Sequence, residues 1–233
     1  MTHTRFAAVA APVMAVVLAI GMSAQARAQD RQTRYARLAP VGQYLIPDRN
    51  AEIAFARSAA PPSVSRDAEV LVLGPHGYET AVKGTNGFVC VVERSWMQPL
   101  DSPVFFDPDV RLPLCLNAPA ARTHLPLTVK TTQLALAGLS TNQISDSIRA
   151  AFDRKALPLP DPGSMCFMMS KQQNFGPGIG HADPHLMFWF PRTDAMAWGA
   201  AGDDSPVDVH QYSPQPITEF AISVSHWSDG TAR

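Results

Sequence analysis

The stretch AEVLVLGPHGYETAVKGTNGFVCVVE, residues 68–93, carries the fold. Ala68–Leu73 is a short, aliphatic strand run, and Gly74-Pro75-His76-Gly77 is turn chemistry. Tyr78–Lys83 alternates as a second strand, and Gly84-Thr85-Asn86-Gly87 turns the chain again. Asn86-Gly87 is a favoured hairpin pair because both residues tolerate positive φ. Phe88–Glu93 is the third strand. Three strands joined by tight turns predict an antiparallel meander over 68–93.

Outward from this stretch, Ala51–Ala60 is alanine-rich and reads as a short helix stopped by Pro61-Pro62. Leu127–Ala137 is ambiguous between strand and helix. Ser140 and Gln143 have the spacing of a capping box. Ile144, Ile148, Ala151 and Phe152 then form one apolar stripe at i, i+4, i+7 and i+8, which predicts an amphipathic helix near 140–156 packed on a sheet. Ser164–Ser170 (SMCFMMS) and His185–Phe190 (HLMFWF) are apolar on both faces and read as central strands near 164–170 and 185–191. A last strand is expected near 217–225. Strands before and after one strong helix give an α+β class with an antiparallel β-sheet.

The N-terminus has a different character. Phe6–Met22 is an uncharged apolar run behind Arg5, and Ala26-Arg27-Ala28 fits small-residue cleavage. Residues 1–28 are therefore expected to be a signal peptide cut after Ala28, with Ala26 as the second choice. No twin arginine precedes the run and no cysteine sits at the cut, so the chain is expected to cross unfolded and work in the periplasm or as a secreted protein. No membrane span is expected after removal of the signal. Residues 29–50 are mixed and polar, and read as a flexible N-terminal arm ahead of one globular domain over 51–233.

Removing 28 of 233 residues leaves 205, enough for one sizeable core. Loss of Arg5 and Arg27 takes the 19 basic residues to 17 against 20 acidic, a net charge of −3. Nucleic-acid binders carry a basic excess, so no nucleic-acid partner is expected. The 21 prolines point to long ordered connections.

Three cysteines would meet an oxidising compartment, where two of them can pair. Cys90 and Cys115 flank a proline-rich loop and are the favoured disulfide pair. Cys166 lies in an apolar run and reads as a buried free thiol. As a nucleophile it would need a base such as His181 or His185, but Met165 and Phe167 beside it would raise its pKa.

His181-Ala182-Asp183-Pro184-His185 is the best constellation for chemistry. His181, Asp183 and His185 at i, i+2 and i+4 on extended backbone point one way, and their donor atoms suit zinc or copper. The nearby Met165, Met168, Met169 and Met187 would favour copper(I). No nucleophile elbow, phosphate loop or spaced zinc signature occurs. Trp189, Trp198, Trp227, Phe188, Phe190 and Tyr212 are candidates to line an apolar ligand pocket.

Asn86-Gly87-Phe88-Val89-Cys90, Pro113-Leu114-Cys115 and His185-Leu186-Met187-Phe188 together resemble a group of uncharacterised exported bacterial proteins with no established activity. That resemblance implies the Cys90–Cys115 pair and no particular chemistry. The expected function is a non-enzymatic binding protein for a small molecule or metal. The alternatives are a metal-dependent hydrolase using the 181–185 loop and a structural or partner-binding protein.

Overall fold

The computed structural model describes residues 35–177, 179–200 and 205–233. The expected signal peptide, its cut at Ala28 and residues 29–34 of the expected arm lie outside the described residues.

Residues 35–50 are not a loose arm. A 3-10 turn, Val41–Gln43, delivers Tyr44 to a fully buried position. The Tyr44 hydroxyl donates to the Phe106 carbonyl at 2.6 Å, and Arg94 Nε donates to the Tyr44 carbonyl at 2.8 Å. The arm reading fails here because a buried aromatic with satisfied polar atoms anchors the segment.

Helix α1, Arg49–Arg57, is capped by Asp48, whose side chain accepts from Asn50 N, and a single turn, α2 (Pro62–Ser65), follows. Strands β1 (Glu69–Gly74), β2 (Gly77–Val82), β3 (Val89–Glu93) and β4 (Leu112–Leu116) come next. Helices α3 (Ala118–Thr123), α4 (Leu125–Leu136) and α5 (Thr141–Asp153) lead to β5 (Met165–Met168), β6 (His185–Pro191), β7 (Val207–His210) and β8 (Ile217–Ser223). One eight-stranded sheet runs β2-β1-β3-β4-β5-β6-β8-β7. It is antiparallel except between β1 and β3, so the α+β class with an antiparallel sheet is what the chain adopts.

The meander over 68–93 needs correction. β1 and β2 form the expected hairpin, but β3 lies on the far side of β1 and runs parallel to it. The short 83–88 connection crosses the base of β1, and Gly84 makes the crossing possible. A Cβ at Gly84 would stand 2.1 Å from Glu69 N, so only a residue without one fits. Thr85 N then donates to Asp67 O at 2.8 Å and Glu69 N to Phe88 O at 2.9 Å, which pins the crossover.

The amphipathic helix forms as expected: Ser140 and Gln143 make both capping-box bonds, and Ile144, Ile148 and Ala151 are buried. It packs on α4, while α3 sits on β4 and β5 and α4 reaches β2. These helices and the buried Trp96, Phe105 and Phe106 cover one face of the sheet, which carries the main core. α1 covers Val70, Cys90, Val92 and Cys115 on the other face. Cys90 and Cys115 oppose each other directly on β3 and β4 and are disulfide-bonded there.

Candidate functional site

Alternation along the strands builds the site. On the face that carries the main core, the helices lie over the β2–β5 half, and the same face of β6, β8 and β7 floors a cleft. Every second residue points into it: Leu112 and Leu114 from β4, Met168 from β5, Met187 and Trp189 from β6, Ile217 and Glu219 from β8, and His210 from β7. Met97, Gln98 and Pro99 form one wall, and Phe175 and Tyr212 come from the β5–β6 and β7–β8 connections. An inner cavity of about 100 Å³ shares Phe175, Met187, His210, Tyr212 and Glu219 with an outer basin of about 410 Å³.

A row of polar side chains crosses the inner end. Glu93 closes β3 and is buried. The Thr128 hydroxyl donates to Glu93 Oε1 at 2.5 Å, and His124 Nε2 lies 3.6 Å from the same oxygen. His124 is the joint between α3 and α4, so Thr128 follows it by one helical turn and both reach Glu93. The His124 ring stacks on Trp189, with centroids 4.0 Å apart and planes 16° off parallel. Trp189 Nε1–H in turn donates to Glu219 Oε2 at 2.8 Å. Glu219 opposes His210 in the β7–β8 ladder, and the His210 ring stacks on Tyr212 at 5.5 Å. Burial first, and the Glu219 charge second, push the Tyr212 phenol up from its ordinary value of 10.0.

The charge pattern is one-sided. Glu93 and Glu219 line the cavity, and Asp183 and Asp208 line the basin, yet among the described residues no lysine or arginine lines either space. Elsewhere the chain treats a buried carboxylate differently. Glu52 on α1 accepts from Arg94 at 2.8 Å and from Leu73 N at 3.1 Å, with both side chains almost fully enclosed.

The residues expected to bind metal are placed apart in role. Only His185 is on β6; His181 is exposed in the preceding connection. Asp183 Oδ2 lies 3.3 Å from Arg233, and His185 Nδ1 lies 2.7 Å from the Asp183 carbonyl. Among the described residues, no group of three or more His, Cys, Asp or Glu side chains is arranged to hold a metal ion. The i, i+2, i+4 pattern needs one continuous strand, and β6 begins too late to include His181.

Of the six expected pocket aromatics, Trp189 and Tyr212 line the cleft. Phe188 and Phe190 alternate to the opposite face, where Phe190 and Trp198 pack at 4.7 Å and Trp198 and Phe220 at 4.9 Å. Trp227 sits in a C-terminal turn closed by its N–H to Thr231 O at 2.9 Å. Cys166 is free and fully buried; burial, then the charges of Glu219 and Glu93, push its thiol up. Glu93, His124, His210 and Glu219 were not foreseen as site residues. The available signal was an acid on the inward phase of an apolar strand: Val89, Val91, Glu93 on β3, and Ile217, Glu219, Ala221 on β8.

No protein-family model, curated protein or solved structure matches this chain.

Proposed function

We propose that this chain is an exported binding protein that holds a small, largely apolar organic molecule in the cleft. The observation that carries this reading is a concave apolar floor with a few convergent polar groups, Glu93, His124, Trp189 and Glu219, at its inner end. That combination is what small-molecule sites share. Two further observations support export: the leader-like segment 6–22 with Ala26-Arg27-Ala28, and the Cys90–Cys115 disulfide. Among the described residues, no helix is long and apolar enough to cross a membrane. A hydrolase built on His181, Asp183 and His185 gains no comparable support, because Arg233 already pairs with Asp183.

The test is a titration with N-phenyl-1-naphthylamine, a neutral dye that brightens in apolar sites. Saturable, one-to-one enhancement is expected for the wild type. Ala221→Trp, at the floor of the basin between Met187 and Asp208, should abolish it while leaving the circular dichroism spectrum unchanged. Unsaturable enhancement, or equal enhancement in both proteins, would refute the reading.

A further inference from the structure

Resting on the reading of the cleft as a small-molecule site, we infer that its ligand is an organic cation, an ammonium or amidinium group carried on an apolar or aromatic body. A carboxylate removed from water is costly unless a counter-charge or several hydrogen bonds replace the water. The chain supplies such replacement for Glu52 with the Arg94 guanidinium. It supplies no guanidinium or ammonium to Glu93 or Glu219 among the described residues. Glu93 has one hydroxyl and an imidazole nitrogen at 3.6 Å, and Glu219 has the indole N–H of Trp189. Glu93 is buried and Glu219 is half-buried, and the buried His124 keeps its Nδ1 without a hydrogen-bond partner among the described residues.

The three possible kinds of ligand charge separate clearly in such a site. An anion meets two carboxylates in the cavity and Asp208 in the basin, and among the described residues no lysine or arginine lines either space, Arg233 being paired with Asp183. A neutral apolar molecule expels water from Glu93 and Glu219 and returns no counter-charge. A cation brings the missing charge and donates hydrogen bonds to carboxylate oxygens. The rings of Phe175 and Tyr212 around the same space add attraction between a cation and an aromatic ring, and with Trp189 they accept the apolar body. A bare metal ion is the poorer fit, since the acids do not converge as a ligand set.

The experiment is displacement of the bound naphthylamine dye from the full chain by matched series. Tryptamine, tryptophol and indole-3-propionate share one body, and phenethylamine, 2-phenylethanol and 3-phenylpropionate share a smaller one. Within each series the amine should bind at least about tenfold tighter than the alcohol, and the acid should bind weakest. Glu219→Gln keeps an acceptor for the Trp189 N–H and removes the charge. It should weaken the amine about tenfold and the alcohol by a clearly smaller factor, so that the amine-to-alcohol ratio falls. Equal binding of amine and alcohol, tighter binding of the acid, or no displacement by either amine while the dye still binds would overturn the cation assignment and leave the cleft reading standing. Failure of the dye itself to bind would remove the cleft reading instead. If Glu219→Gln does not fold, the order within the wild-type series still decides.

Discussion

Gly84→Ala probes the crossover that separates this fold from a meander. The new Cβ would lie 2.1 Å from Glu69 N and 2.7 Å from Ala68 C, all backbone atoms that no rotamer change can move aside. Restoring a tolerable 3.4 Å requires the two segments to part by about 1.3 Å. Parting them breaks the Glu69 N–Phe88 O and Thr85 N–Asp67 O bonds, each costing about 1–3 kcal/mol where water cannot substitute. It also disturbs Ala68 and Val70, both fully buried. The expected loss is about 3–5 kcal/mol, in the range reserved for named structural damage. For a chain of this size that corresponds to a fall in Tm of about 6–20 °C. The assay is equilibrium urea unfolding followed by circular dichroism, beside Gly138→Ala as control. Gly138 has φ +79° but nothing within 4 Å of a Cβ, so only the cost of positive φ, about 1 kcal/mol, applies. A Gly84→Ala protein no less stable than Gly138→Ala would refute the crossover argument.

Three more outcomes follow from the same structure. Replacing both Cys90 and Cys115 with alanine opens a loop of 25 residues and should cost about 3.5 kcal/mol in urea unfolding, whereas a loss under about 1 kcal/mol would contradict the bond's structural role. Arg94→Met leaves Glu52 buried without its partner and should destabilise by about 3–5 kcal/mol, while Arg94→Met with Glu52→Leu should recover much of that. Alkaline stability should fall as pH rises beyond about 9–10. Burial raises Cys166 above its ordinary 9.0 and raises Tyr78 and Tyr212 above their ordinary 10.0, so the folded chain keeps protons that the unfolded chain releases. Tyrosine absorbance in which all four tyrosines titrate at an ordinary pH while the protein remains folded would contradict this.

Local chemistry made parts of the fold legible. Ser140, Gln143 and the Ile144–Ile148 stripe announce α5 because cap and periodicity agree within one segment. The apolar runs at 164–170 and 185–190 announce central strands. What escaped depends on contacts distant in sequence. Asn86-Gly87 suits a hairpin whichever side β3 takes; the choice is made by the approach of Gly84 to Glu69. β4 was masked by Pro113, which weakens any strand reading. It is tolerated because β5 ladders only with Cys115 and Leu116, leaving that side of Pro113 unpaired by β5. β7 is only four residues long. The 35–50 segment reads as an arm until Arg94 and Phe106 arrive to hold Tyr44. The site is the extreme case: Glu93, His124, His210 and Glu219 come from β3, the α3–α4 joint, β7 and β8, and only the sheet order assembles them. Trp189 and Tyr212 were foreseeable as ligand-facing aromatics, but alternation sends Phe188 and Phe190 to the other face.

The most direct test of ligand binding in the cleft is the indole N–H region of a ¹⁵N-labelled sample during titration with N-phenyl-1-naphthylamine. The chain has four tryptophans, so each indole gives its own signal. The Trp189 N–H, bonded to Glu219 on the cleft floor, should shift saturably with the dye, while the Trp198 and Trp227 signals stay in place. Movement of Trp198 or Trp227 with a stationary Trp189 would show that the dye binds elsewhere and that the cleft is not the site.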